Sequence, residues 1–405
     1  MAASLVVLIA YHFPPDNAIG GARPWRFYKY LKRLGYECRV LTAAPQIAGA
    51  PSDIEYVPDP LRIRPRRGLA WQMERVGWKF FLRNELALGW SASVARTGAA
   101  LLNRSRNENI TIISSAPPLG THLAALRMAA HSGRPWIADF RDPIDTVAGD
   151  RALLQSAIAP GLERRILKSA NLVLANTDSM QQAWCARYPG LGGKIHVVWN
   201  GFDPEDAINA GPLPARERRI LSHVGELYGG RDIRPILYSA ARLFESGRLP
   251  KKSHIIRQIG AVDPGELPPP EFLAAAQTGG WLEIREPVPA TEARAMAVDS
   301  DGLLLIQPHT AVQVPGKLFE YLRMGRPILA YVVGDSPVER ILGKAGVPFE
   351  CIYPEHPPEE MDRRLLGFIA RLGGRPVGPA QWFEDTFEAS RQAEALDVLI
   401  RSLVV

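Results

Sequence analysis

The chain has 405 residues, of which 46% are hydrophobic and 22% charged, with a net charge of +6 and a pI near 9.3. That length exceeds one ordinary domain and suits two lobes of about 200 residues, each with its own core. The composition is that of a globular protein, and the positive balance favours anionic partners: nucleotide, phospholipid surface or nucleic acid.

Cys38, Cys185 and Cys351 are odd in number, far apart and without metal-ligand spacing. This excludes a disulfide framework and a zinc site, and it fits a reducing compartment. The first apolar run is too short for a signal peptide or a membrane span, and no later segment reaches about 18 uninterrupted apolar residues. The expected location is the cytoplasm, with any membrane contact peripheral, on the inner face of the cell membrane.

Residues 5–10 are continuously apolar, as expected of a buried parallel strand. A loop over residues 11–21 follows, ending in Gly20-Gly21. A helix starts near Ala22, with Pro24 in its first turn, and the next strand covers residues 38–42. Strand, glycine-containing loop, helix and strand make one βαβ unit. The Gly-Gly pair lacks the third glycine of the dinucleotide fingerprint. It is either a plain turn or a ligand contact at the C-terminal edge of the first strand, where open α/β sheets bind. Arg23 and Arg26 either pair with phosphate or acceptor or stay in water.

Residues 61–83 carry Arg62, Arg64, Arg66, Arg67, Arg75, Lys79 and Arg83 against one acid, Glu74, interleaved with Trp71, Trp78, Phe80 and Phe81. Basic residues among large aromatics suit a surface resting on anionic headgroups. The alternative is an amphipathic helix packed on its lobe with solvated arginines. No nucleic-acid-binding module is recognisable, and no nucleic-acid partner is expected.

Residues 110–113 form a strand running into Ser114-Ser115-Ala116-Pro117-Pro118. Residues 135–138 form another, opening into Asp139-Phe140-Arg141-Asp142-Pro143. Asp139, Arg141 and Asp142 make either a site or a structural clamp. Residues 172–175 and 195–199 close the first lobe. Residues 201–219 mix glycine, proline and charge without periodicity and serve as the linker.

A second α/β series begins at residue 220. Gly225 opens a loop to Gly229-Gly230-Arg231, and Asp232 caps the following amphipathic helix, which puts Arg231 at its positive end. An arginine there, beside two glycines, suits a diphosphate. Residues 303–306 form a strand that leads to Pro315-Gly316-Lys317-Leu318-Phe319-Glu320-Tyr321, a short helix stopped by Gly325 and Pro327. A helix start carries unpaired N–H groups and about half a positive charge, so it is a ready phosphate site. Glu320 lies one turn inside on the face of Gly316, where its carboxylate can accept from two sugar hydroxyls. Phosphate at the tip and a diol one turn deeper describe a nucleotide; a buried helix with a locally capped Glu320 is the plainer alternative.

With these stretches in order, the chain resembles the GT-B glycosyltransferases, specifically family 4, nearly end to end. The likeness is carried by residues 14–21 and 34–42, 114–118, 138–143 and 194–203, the Gly225 loop and the Lys317-Leu318-Phe319-Glu320-Tyr321 helix. It implies an α/β chain of GT-B architecture, two Rossmann-like lobes facing across a cleft. Residues 1–200 would form the acceptor lobe and 220–382 the donor lobe, with the helix over 383–405 packing back on the first. The implied activity is a retaining, metal-independent transfer of a sugar from a UDP- or GDP-sugar to a glycan or lipid-linked acceptor in surface polysaccharide or glycolipid synthesis.

In that likeness Glu320 matches the ribose-binding glutamate and Arg231 the basic diphosphate contact, with Gly20 and Gly21 approaching the donor phosphates from the other lobe. Gly225, Pro315, Gly316, Lys317 and Leu318 complete the donor set, and Asp139, Arg141 and Asp142 stand with Arg231 as catalytic candidates. Sugar contacts are placed near His309 and Gln313. Three departures are visible. Val312 stands eight residues before Glu320 where members often carry glutamate, Glu226 replaces an arginine after the glycine, and the histidine expected near the fourth or fifth strand has no clear counterpart. These leave two other readings open: a catalytically silent nucleotide-sugar-binding scaffold for another transferase, and a GT-B-type sugar-nucleotide epimerase.

Overall fold

The computed structural model describes residues 4–15, 19–43, 51–59, 87–105, 107, 109–144, 153–208, 210–250 and 252–403. The basic, aromatic stretch with Arg62, Arg64, Arg66, Arg67, Trp71, Arg75 and Trp78 lies outside the described residues. The chain divides into two compact units, Met1–Asp203 with Phe387–Val405, and Pro204–Thr386.

The first unit is built on seven parallel strands: β1 (Leu5–Ala10), β2 (Glu37–Thr42), β3 (Ile54–Tyr56), β4 (Ile110–Ala116), β5 (Trp136–Phe140), β6 (Leu172–Ala175) and β7 (Ile195–Val197). Their order is β3-β2-β1-β4-β5-β6-β7. The central strands β1, β4 and β5 are buried at every position, which is why they are apolar without alternation. Even so, successive side chains serve opposite faces. Leu5, Val7 and Ile9 join a cluster with Trp90, Ile112 and Trp136, whereas Val6 and Leu8 pack with Phe27, Leu31, Leu396 and Ile400. β3 was not foreseen: three residues with one exposed carry too little alternation to signal a strand.

Helices α1 (Ala22–Arg33), α2 (Leu88–Arg104), α3 (Gly120–Ser132), α4 (Leu153–Ser169) and α5 (Asp178–Arg187) connect these strands. The second unit repeats the scheme with six parallel strands: β8 (Arg219–Val224), β9 (His254–Ile259), β10 (Leu282–Arg285), β11 (Gly302–Gln307), β12 (Ile328–Val332) and β13 (Phe349–Ile352), ordered β10-β9-β8-β11-β12-β13. Its helices are α6 (Arg234–Glu245), α7 (Pro270–Thr278), α8 (Ala290–Val298), α9 (Lys317–Met324), α10 (Pro337–Ala345), α11 (Pro358–Ile369) and α12 (Gln381–Phe387). The last helix, α13 (Ala389–Arg401), belongs to the first unit. It lays Leu396 and Ile400 against the cluster of Phe27 and Leu31 from α1, and Tyr36 Oη donates to Asp397 at 2.6 Å. No helix among the described residues is long and apolar enough to cross a membrane.

Both sheets have doubly wound order, and in each the order turns back between the first and fourth strands. The crevice at the C-terminal ends of β1 and β4, and of β8 and β11, is where such sheets receive ligands.

One buried ion pair shapes the first of these edges. Arg23, in the first turn of α1 and 4% exposed, donates from Nε and Nη2 to both oxygens of Asp139 at 2.7–3.1 Å. The same guanidinium donates to the carbonyls of Val198 and Trp199 at 2.8 and 2.7 Å. Asp139, fully buried at the end of β5, also accepts from Ser115 Oγ at 2.7 Å. Arg26 donates to Asn200 Oδ1 at 2.9 Å and to the Gly201 carbonyl. Neither arginine is left to water or to a ligand, as the sequence had allowed, because the chain after β7 passes beside the start of α1 and supplies the acceptors.

Breaking that pair on one side leaves a buried charge unpaired. Arg23→Met should lower the stability of the first unit by about 3–5 kcal/mol, read as a fall in the urea midpoint. Adding Asp139→Leu should recover part of the loss. An unchanged midpoint in Arg23→Met would refute this role.

Candidate active site

At the β1/β4 edge, the loop after β1 winds into a 3-10 turn, Ile19–Gly21, that abuts α1. A Cβ at Gly20 would sit 2.8 Å from Arg141 Nη1 and 3.1 Å from His12 Cδ2, so a larger residue there would displace the Arg141 guanidinium. Arg141 donates to the carbonyls of Gly20 at 2.6 Å, Ala116 at 3.2 Å and Pro117. Its guanidinium therefore ties the loops after β1 and β4 together. Burial depresses its pKa, and the neighbouring Asp142 and Asp139 charges oppose that.

Of the three first-lobe candidates, Asp139 and Arg141 thus spend their polar atoms on the protein. By these contacts they are positioning groups for the loop edge. Asp142 is half-buried beside them. His122, in the first turn of α3, is fully buried. Its Nδ1 lies 2.8 Å from Ser114 Oγ, and its ring packs 4.2 Å from that of Phe140. Desolvation pushes its pKa down to about 3, so it is neutral and part of the core.

The β8/β11 edge is different. Gly225 follows β8 at φ +123, a left-handed conformation open to glycine, and a Cβ there would sit 2.6 Å from Lys317 Nζ. Gln258 Nε2 donates to the Gly225 carbonyl at 2.9 Å and fixes that turn. Gly230, at φ +92, donates its N–H to Glu266 Oε1 at 2.7 Å, and a Cβ there would press on His309 at 3.0 Å. These two contacts deliver Arg231 to the edge. Its Nε donates to Gln307 Oε1 at 3.1 Å, at the end of β11, and its guanidinium carbon lies 4.5 Å over the Tyr228 ring. No hydrogen bond among the described residues engages its two terminal nitrogens. The following helix starts one residue later than expected, at Arg234, whose N–H donates to Asp232 Oδ1 at 2.8 Å.

Helix α9 starts at Lys317 with Gly316 at its N-cap, and Gly325 at φ +65 ends it. Leu318, Phe319, Tyr321 and Leu322 are buried, and Tyr321 Oη accepts the Val224 N–H at 2.9 Å, which anchors the helix to β8. Pro315 is half-buried and Gly316 exposed at the tip. Lys317 turns back under Gly225, and its Nζ lies 2.9 Å from His223 Nε2. Burial, with the Arg231 charge adding to it, pushes its pKa down to about 7, while Glu226 and Glu320 act the other way. His223 is fully buried, 2.6 Å from Gln258 Oε1, and held well below its usual pKa by desolvation and by Lys317, so it accepts from the lysine. Glu320 is 44% exposed, with only Arg294 Nη2 nearby at 3.6 Å. His309, at the other side of Arg231, is lowered to about 4 by burial and by the Arg231 charge.

The second edge thus gathers Gly225, Arg231, Lys317 and Glu320 around one helix start, with two cations short of acidic partners. His223 and Gln258, which hold the lysine and the turn, were not singled out in the sequence. Their only signal was polarity inside buried strands. Among the described residues no group of three or more His, Cys, Asp or Glu is placed to hold a metal ion.

Comparison with known proteins agrees with this fold. Residues 24–206 match the model of Glycosyltransferase Family 4. No curated protein matches the chain. Among solved structures, it is similar to sucrose-phosphate synthase from Thermosynechococcus elongatus (11% identity, 99% of each chain, TM-score 0.68). It is also similar to the lipopolysaccharide outer core galactosyltransferase WaaB (14% identity, 98% of this chain and 99% of that one, TM-score 0.60) and to Anabaena HepE in complex with UDP-glucose (12% identity, 98% and 96%, TM-score 0.56). The chain thus has the two-lobe α/β fold of these GT-B glycosyltransferases, and its residues 24–206 carry the likeness to family 4.

Proposed function

We propose that the second unit binds a nucleotide-sugar, a UDP- or GDP-sugar, and that the chain transfers its sugar, with retention and without a metal ion, to a glycan or lipid-linked acceptor. The observation that carries this reading is the cation pair at the β8/β11 edge, Arg231 with its terminal nitrogens unpaired and Lys317 beneath Gly225. In glycosyl transfer the sugar carbon becomes oxocarbenium-like while the departing diphosphate gathers negative charge. Donors aimed at that diphosphate stabilise it where charge develops. Arg231, Lys317 and the N–H groups of the α9 start supply them, and Glu320, one turn deeper, accepts from the ribose hydroxyls. The similar HepE structure holds UDP-glucose, which supports this donor class. The WaaB likeness supports a glycolipid acceptor in surface-polymer synthesis at the inner membrane face.

The departure at Glu226 gains a physical meaning here. That side chain is exposed, and the position beneath the glycine turn is filled by Lys317 from α9. One cation of the donor site therefore comes from the Lys317-Leu318-Phe319-Glu320-Tyr321 helix.

A screen of UDP-, GDP-, ADP- and dTDP-sugars by thermal shift should show stabilisation by one nucleotide family. Glu320→Ala should weaken that binding by roughly 10- to 100-fold, the range expected for lost hydrogen bonds to a charged group. Arg231→Ala should cost about 10²- to 10³-fold in turnover. Binding without transfer or donor hydrolysis across a broad acceptor panel would instead identify a silent scaffold.

Lys317 makes donor binding proton-linked. A diphosphate favours the charged lysine and raises its pKa from about 7, so binding takes up a proton wherever the free site is neutral. Affinity for a nucleotide-sugar, whose diphosphate does not titrate in this range, should be flat below about pH 7 and fall by up to about tenfold per pH unit above it. Lys317→Arg should flatten the profile. A wild-type profile already flat between about pH 7 and pH 9 would remove Lys317 from the site.

The basic stretch supplies the membrane part of the reading. Replacing Arg64, Arg66, Arg67 and Arg75 with Glu should release the protein from anionic vesicles in a flotation assay. Unchanged flotation would refute that part alone.

A further inference from the structure

A second concavity lies within the second unit, with none of Gly225, Arg231, Lys317 or Glu320 in its lining. It has a volume of about 390 Å³ and is walled by the segment over residues 207–214 on one side and by α8 on the other. That volume lies in the range of small-molecule sites. Ile208, Pro212, Leu213 and Val298 make the walls apolar, and two arginines, Arg294 and Arg326, provide the positive charge.

Arg326 is the unusual group. It follows the glycine that ends α9 and is 1% exposed, yet its guanidinium contacts only carbonyls. Nε and Nη2 donate to Val298 O at 3.2 and 2.9 Å, and Nη2 donates to Gly211 O at 2.7 Å. Its Nη1 has no hydrogen-bond partner. Burial disfavours the charge on this arginine, and the Asp301 and Asp299 charges oppose that only through space. Both acids are committed elsewhere: Asp301 to Arg219 at 2.9 Å and to the Ile220 N–H, and Asp299 to Arg216 at 2.9 Å. Arg294 is less enclosed, with its side chain 30% exposed. Its Nε is buried without a partner, and its closest carboxylate is Glu320 at 3.6 Å, longer than a hydrogen bond. A buried guanidinium with an empty donor is costly unless something accepts from it. One such group at the wall of a concavity, with the partly exposed Arg294 beside it, defines what the concavity lacks, an anion.

We infer that this concavity binds a small organic anion, a phosphate or carboxylate on an apolar body, with the anionic group on Arg326 and Arg294 and the body against Ile208, Leu213 and Val298. An occupant that recruits Arg294 draws it from Glu320. On the reading of Glu320 as the ribose-binding residue, the site then acts on donor affinity by freeing that carboxylate. Binding itself does not depend on that reading.

The test is calorimetric titration of the full chain with phenyl phosphate, using inorganic phosphate and phenol as the two halves of the probe. Phenyl phosphate should bind saturably with one-to-one stoichiometry and more tightly than either half. Arg294→Gln should weaken it by roughly tenfold or more, as expected for a lost charge-assisted bond. Ala295, exposed on the pocket side of α8, can take a bulky side chain without entering the core, so Ala295→Trp should abolish binding in a folded protein. Glu320→Ala, which removes the proposed ribose contact, should keep it. Absence of saturable binding to the wild type would overturn the inference. So would equal binding in Ala295→Trp, which would put the probe at the donor edge or elsewhere, and so would loss in Glu320→Ala.

Discussion

An all-parallel sheet whose strand order reverses in the middle leaves the ends of two neighbouring strands uncovered, because their connections leave in opposite directions. Both units obey this constraint, at β1/β4 and at β8/β11. Nearly every polar group with a functional reading sits at one of these two gaps. The apolar runs behind them serve a single purpose, to hold the strand ends in place. A substitution inside β1 or β11 therefore reaches function through the position of a loop.

The two gaps use their arginines in opposite ways. At the first, Arg23 and Arg141 donate hydrogen bonds to Asp139 and to backbone carbonyls, so the guanidinium groups are engaged in fixing loops and the chain after β7. At the second, Arg231 donates one hydrogen bond to Gln307 and keeps its terminal nitrogens unpaired, and Lys317 faces a neutral histidine in place of a carboxylate. A protein gains nothing in stability from two neighbouring cations without counter-charges, and the depressed pKa of Lys317 records the cost. Such an arrangement is explained by a ligand that brings the missing negative charge.

Much of this was legible in the sequence where a residue type has one cheap explanation. The unbroken apolar runs gave buried parallel strands, and Pro315-Gly316 with Gly325-Arg326-Pro327 bracketed α9 within a residue or two. Glycine pairs before helices marked both gaps. What was not legible depended on distant partners. Asp139, Arg141 and Asp142 looked like one cluster because they are adjacent in the chain, yet the clamp on Asp139 comes from Arg23, 116 residues away. Arg23 looked solvated or ligand-bound for the same reason. His223 and Gln258 are polar residues in strands that read as plain core, and only the sheet register sets them side by side. β3 was missed because a three-residue edge strand carries almost no period.

The same logic separates structural from functional cations more sharply than exposure does. Arg326 is the most buried arginine of the second unit and by burial alone would be classed with Arg23 as a clamp. The difference lies in satisfaction. Arg23 closes a bidentate pair with a carboxylate and gives each of its three nitrogens at least one acceptor, two of them backbone carbonyls. Arg326 has three carbonyl contacts, no carboxylate and an empty Nη1. The free-energy penalty of a buried charge is offset in the first case by the fold itself. In the second it is left standing at the wall of a concavity, and with Arg294 it connects that wall to Glu320 on α9. On the proposed reading of Arg231 and Lys317 as diphosphate contacts and of Glu320 as the ribose contact, the fold has the parts for a response of donor affinity to a second anion.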